Sequence, residues 1–294
     1  MAVDLFVGLV THPKSRFPES ATMQGLMMQV AQGASVAGLR VHTGASDKDA
    51  FPGDSLPVSR SMVRRSIAAE LEVERRWRRY LRGGSEPCWM GSFFAARCVA
   101  RMLRSGMPWR SSQQDGLRMV RRLANIEASH LRIMDMALDS GADWVLLLED
   151  DAQSPDGNEF GRLLAGFIRS NRDQSQPQMV SLSESFSSDD LGISPLLSPV
   201  PAARGPWPMQ AAERVVTNTL CATLYRRGFL KMIVAALHEI PLEPVVPIDF
   251  KLNLAIMAVD ARCDSGDSWI ASPAPLEQRS GVPAVRFGKS SGGA

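Results

Sequence analysis

The chain has 294 residues, 45% of them hydrophobic, with a formal net charge of +2. That supports a sizeable core in one large domain or two small ones. No apolar run is long enough to span a bilayer. The N-terminus carries Asp4 and no basic segment, and the four cysteines (Cys88, Cys98, Cys221, Cys263) form no C-x-x-C pair. These features argue against a spanning helix, a signal peptide, a zinc knuckle and a disulfide framework, and the expectation is a soluble, cytoplasmic chain.

In chain order, residues 3–10 read as a buried strand, rich in β-branched and aromatic residues. A polar loop, THPKSRFPES, follows, and Ser20 suits the cap of a helix over about 21–34. Residues 39–42 read as a second strand, so the chain opens β-α-β, the beginning of an α/β sheet. Helical patterns then cover 58–82, 92–105 and 114–139, and Gly141 ends the last. Residues 144–148, WVLLL, form an unbroken apolar run, as expected of a central parallel strand covered on both faces. Beyond it the pattern gives a helix at 160–170, a strand at 179–182, a strand at 215–225, helices at 228–238 and 249–259, and a strand at 268–271. Residues 183–212 are rich in Ser and Pro with little periodicity, and read as a mobile connection. The tail, residues 283–294, reads as disordered.

Charge is unevenly distributed. Residues 58–132 hold sixteen arginines, no lysine and six acids, an excess of ten positive charges that leaves −8 for the rest. Trp77 and Tyr80 are interleaved with these arginines. Arginine grips phosphates and aromatics stack on bases, so an anionic partner such as DNA, RNA or a membrane surface is one reading. The other is a helix laced by Glu–Arg pairs such as Glu72–Arg76 and Glu74–Arg78.

The apolar run 144–148 ends in Glu149, Asp150 and Asp151. Adjacent like charges beside a core are costly. A hard divalent cation, Mn²⁺ or Mg²⁺, bound to carboxylates and substrate phosphates would offset that cost. Glu149 and Asp151, one residue apart, point to the same side of an extended chain, so both are candidate metal ligands. A helix cap or a solvated turn is the plainer alternative.

Four segments carry a family resemblance. They are Ser129-His130 with Ala137–Gly141 and Leu148–Ala152; the stretch TNTLCATLYRRGFLKMI; PIDFKLNLAI; and SPAPLEQRSG. In order and spacing they resemble family-25 glycosyltransferases of the lipopolysaccharide and collagen type. The resemblance implies a GT-A (Rossmann-like) α/β fold with a mixed, mostly parallel sheet flanked by helices. The resemblance covers roughly residues 123–281 and the N-terminal strand, and the expectation is one catalytic domain over residues 1–282. The Arg-rich helical stretch at 58–122 has no counterpart in that family and reads as an insertion, and residues 183–212 read as a mobile acceptor-side loop. The resemblance further implies transfer of a sugar from a nucleotide-diphosphate donor, a UDP-sugar first, to a hydroxyl on a protein, glycan or modified nucleic acid.

On that reading Asp151 holds the metal, helped by Glu149 or Asp150. Thr11, His12, Lys14 and Arg16, after the first strand, and Asp47 or Asp49, after the second, are placed for base, ribose or phosphate. Gln278 and Ser280 line the donor pocket. Asp249 is the acceptor-side base, though it reads equally as a helix N-cap. Glu184, Asp189 and Asp190 are alternatives for the base. His130 reads as a core histidine or as a support for the acidic loop. Two other functions stay open: a nucleic-acid-associated binding protein on a degenerate transferase scaffold, and a nucleotidyltransferase.

Overall fold

A computed structural model describes residues 3–11, 20–46, 52–106, 110–183, 187–217 and 220–278. The chain runs β1 (Asp4–Val10), α1 (Ser20–Val36), β2 (Arg40–Ala45), α2 (Pro52–Ser55), α3 (Arg60–Leu81), α4 (Cys88–Gly106) and α5 (Arg110–Asp139). It continues β3 (Trp144–Glu149), β4 (Ala152–Gln153), α6 (Gly157–Ser170), β5 (Met179–Ser181), α7 (Ser188–Leu191), β6 (Leu197–Pro199) and β7 (Met209–Ala212). It closes with β8 (Ala222–Arg226), α8 (Arg227–Glu239), α9 (Ile248–Val259), β9 (Ser268–Ala271) and β10 (Glu277–Gln278).

Eight strands form one sheet in the order β2-β1-β3-β8-β5-β9-β7-β6, and β10 pairs with β4 in a separate ribbon. The fold is therefore α/β, with a mixed sheet flanked by helices. The expectation of a mostly parallel sheet is corrected. Pairs β1–β2, β1–β3 and β5–β9 are parallel, whereas β3–β8, β5–β8, β7–β9 and β6–β7 are antiparallel. The first half builds parallel pairs because a helix carries the chain back between strands. The second half has short strands in which such crossovers are fewer. One of its sources is the Ser/Pro-rich connection, which supplies α7, β6 and β7 and extends the sheet edge. Its strands are three and four residues long, too short to leave a periodicity.

The pleat sorts side chains between two cores. Leu5, Val7 and Leu9 of β1, with Trp144, Leu146 and Leu148 of β3, face α1 and α6. Phe6 and Val10, with Val145 and Leu147, face α5, α8 and α9. On the first face, a Cβ on Gly161 of α6 would collide with the carbonyl of Val30 in α1, so only glycine allows this helix crossing. On the second face α5 lies against β1 and ends at Gly141, whose φ of +74° turns the chain into β3.

The arginine-rich region is a helical hairpin docked on the second face. In α3, Tyr80 donates to Asp260 at 2.7 Å and stacks on Trp77, with ring centroids 5.0 Å apart. Both rings pack against the core, so they are not presented for stacking on bases. Glu70 takes a two-pronged contact from Arg101 at 2.6 and 3.1 Å, and Glu74 takes one from Arg97 at 2.9 and 3.0 Å, zipping α3 to α4. The expected Glu74–Arg78 pair forms at 3.1 Å, whereas Glu72 meets Arg75 rather than Arg76.

Candidate functional site

The carboxyl ends of β1 and β3 lie side by side, with Val10 opposite Glu149. From β1 the chain leads to β2 on one side; from β3 it leads toward β5 on the other. Open α/β sheets bind ligands where neighbouring connections diverge in this way.

Glu149 ends β3 and falls on the same face as Val145 and Leu147. There it meets His130 of α5, whose Nε2 lies 3.0 Å from Glu149 Oε1. A carboxylate only accepts, so Nε2–H is the donor. His130 is buried, which makes it both a core histidine and the support of the acidic end. Its Nδ1 is buried without a protein partner. The backbone N–H of Glu149 donates to the carbonyl of Cys221 at 2.8 Å, joining the β3 end to the start of β8.

Asp150 and Asp151 form the turn into β4. In the β4–β10 ribbon, Ala152 is opposite Gln278, and the Gln278 side chain donates to Asp151 Oδ2 at 2.8 Å. The other oxygen, Oδ1, is buried with no hydrogen-bond partner. Burial pushes the Asp151 carboxyl up to about 6; the Gln278 hydrogen bond opposes the shift, and the charges on Glu149 and Asp150 add to it.

Asp249 stands in the first turn of α9. The N-cap position is Pro247, so the N-cap reading of Asp249 is corrected. Asp249 keeps solvent-accessible surface, yet enough protein surrounds it to desolvate its charge. Burial pushes it up to about 6, repulsion from Glu149 and Asp151 adds to the shift, and the charge of His130 opposes it. The four groups therefore share one electrostatic neighbourhood. Beneath them lies Tyr225 of β8, fully buried, its phenol pushed up first by burial and also by the charges of Asp249 and Glu149.

Segments far apart in sequence thus converge on one sheet edge: Ser129-His130, the Glu149–Asp151 turn, the start of α9 and Gln278. Thr11 is at the same edge, its N–H and C=O each 3.1 Å from the Ser46 hydroxyl. His12, Lys14, Arg16, Asp47, Asp49, Glu184 and Ser280 lie outside the described residues. Asp190 accepts from the Ser187 hydroxyl at 2.7 Å, a local contact at the helix cap, and Asp189 shares the first turn of α7. Sequence reasoning missed Cys221, whose buried thiol is pushed up by burial and by the charges of Asp151 and Glu149. It also missed Ser183, whose hydroxyl accepts from the Ala222 N–H at 3.0 Å. Neither residue type carries a pattern that marks it in the sequence.

Among the described residues no group of three or more His, Cys, Asp or Glu side chains is arranged to hold a metal ion. A cage made by the protein alone is therefore absent from that set. The donors fit a hard cation held by one or two carboxylates and completed by substrate phosphates, and Asp151 Oδ1 is the unsatisfied oxygen such an ion would take. No model of a protein family matches the chain, and no curated protein matches it.

Proposed function

We propose that the chain is a metal-dependent glycosyltransferase of GT-A-like build, taking a nucleotide-diphosphate sugar, with UDP-sugars first, and a hydroxyl acceptor. The observation that carries the reading is the electrostatic neighbourhood shared by Asp151, with its unpartnered buried oxygen at the β3–β4 turn, and Asp249, which keeps solvent-accessible surface and feels the charge of Asp151. The order of motif segments that resembles family-25 transferases supports it further.

Asp151, with Glu149 or Asp150, would hold Mn²⁺ or Mg²⁺, which supplies positive charge for the departing diphosphate. Gln278 fixes the rotamer of Asp151 from the β10 side. His130 fixes Glu149. Asp249, a stronger base than an ordinary carboxylate because its charge is desolvated, accepts the proton of the acceptor hydroxyl. The hydroxyl oxygen then bonds to the anomeric carbon, and the bond from that carbon to the diphosphate breaks with its electron pair on the nucleoside diphosphate. Thr11, at the same edge, suits contacts to the donor. The acceptor is a protein, a glycan or a modified nucleic acid.

The nucleic-acid-binding alternative loses support, because Trp77 and Tyr80 face the core and several arginines are engaged with acids. Product analysis separates the transferase from a nucleotidyltransferase. Incubation with Mn²⁺ and UDP- or GDP-sugars should release a nucleoside diphosphate slowly even without acceptor. Release of pyrophosphate from a nucleoside triphosphate, with no turnover of any nucleotide sugar, would refute the reading.

A further inference from the structure

The outward face of α4 carries large apolar side chains that no part of the described chain covers. Trp89 is 55% exposed, Phe93 46%, Val99 58% and Leu103 64%. Trp89, Phe93, Ala96, Ala100 and Leu103 follow one another at three- and four-residue spacing, so they form a single stripe along the helix. The opposite face is fixed: Met90 and Phe94 are buried against Leu71 of α3, and Arg97 and Arg101 reach back to Glu74 and Glu70. The stripe is thus held outward on a braced hairpin. Trp89 and Phe93 meet edge to face, with ring centroids 6.0 Å apart.

The surroundings are positive. α4 contains no acid, and residues 88–126 hold seven arginines against the single acid Asp115; two of the seven, Arg97 and Arg101, are matched by Glu74 and Glu70 of α3. Arg118, Arg121 and Arg122 of α5 are exposed. An aromatic and aliphatic stripe on an arginine-rich, acid-free helix has the composition of a helix lying in a membrane interface. We propose that this face of α4 docks the protein on an anionic lipid bilayer surface, with Trp89, Phe93 and Leu103 in the headgroup–acyl boundary and the arginines on lipid phosphates. The charge split, ten positive over residues 58–132 and −8 over the rest, orients the molecule with this region toward such a surface.

Two other occupants fit less well. A second copy joined through the same face would set positive surface against positive surface, since a two-fold interface pairs a patch with itself. A nucleic acid would leave Val99 and Leu103 without a partner. The inference is independent of the transferase reading.

The test is co-sedimentation of the full chain with phosphatidylcholine vesicles, with and without phosphatidylglycerol. The comparison is a Trp89→Ser/Phe93→Ser/Leu103→Ser variant, whose exposed positions leave the fold intact; circular dichroism and melting check this. Wild type should partition at least about tenfold more strongly onto the anionic vesicles, and the variant should lose about tenfold of that. Added salt should weaken the wild-type binding. Wild type that ignores anionic vesicles, or a folded variant that binds them equally, overturns the proposal. So does a concentration-dependent dimer, or duplex DNA binding, that the variant abolishes while no vesicle binding is seen.

Discussion

Lys251 and Glu127 form a buried ion pair that ties α9 to α5, with Nζ 2.7 Å from Glu127 Oε1 and side chains only 1% and 7% exposed. Lys251 also donates to the carbonyl of Pro241 at 3.0 Å. Glu127 lies three residues before His130, and Lys251 two after Asp249. The clamp therefore fixes the spacing of the two helices that bring His130 and Asp249 to the β3 edge. Removing one partner leaves an uncompensated buried charge. Lys251→Met should destabilise the chain by about 3–5 kcal/mol in urea unfolding, and adding Glu127→Leu should recover most of that loss.

His130→Ala removes the donor to Glu149 Oε1 and leaves a cavity beside α5. A loss of roughly 1–3 kcal/mol is expected from the unpaired acceptor, more if the cavity fails to collapse. His130→Gln, able to donate from nearly the same place, should recover part of both stability and nucleotide binding. Equal losses in the two variants would remove His130 from its positioning role.

The pH dependence has a definite sign. Asp151 and Asp249 are raised from 3.8 to about 6 in the folded chain. Between those values the folded state holds protons that the unfolded chain has released. Their contribution is most favourable at low pH and is lost as pH rises through about 6. For Asp151 the ceiling is about 3 kcal/mol, at 1.36 kcal/mol per pKa unit; exposed Asp249 contributes less. Without metal, the Tm of wild type should rise relative to Asp151→Asn as pH falls from 7.5 to 5.5. Added Mn²⁺ should reverse that ordering above pH 6, because protons and the cation compete for the same oxygen. Scanning calorimetry of both proteins across that range checks this.

Gln278→Ala deletes the hydrogen bond that opposes the upward shift of Asp151. The carboxyl should then titrate higher still, and Mn²⁺-dependent nucleotide affinity at pH 7 should fall by about three- to tenfold with little change in Tm. A change in Tm without a change in affinity would make the contact structural only.

Much of the scaffold could be read from local pattern. The apolar runs of β1 and β3 and the α5 periodicity ending at Gly141 specify their elements with local signals alone. The short strands β6 and β7 could not be read, because partners distant in sequence make them strands. The stretch 215–225 alternates enough to read as a strand, yet among the described residues β8 spans only Ala222–Arg226. At the site, the run of acids at 149–151 was legible as charge placed against a core. That Glu149 turns to His130 while Asp151 turns to Gln278 depends on the β4–β10 ribbon, in which each strand has two residues. The arginine block could be read as charge. Its division into inward-facing aromatics on α3 and an outward apolar stripe on α4 depends on how the two helices pack.

Calorimetric titration of UDP, GDP and their common sugar conjugates, with and without Mn²⁺, into wild type and Asp151→Asn tests the central claim most directly. The account predicts metal-dependent binding of one nucleotide class to wild type and its loss in Asp151→Asn, which should fold and melt no lower than wild type without metal. Binding that ignores both the metal and the substitution, or no binding of any diphosphate nucleotide to wild type, would contradict it.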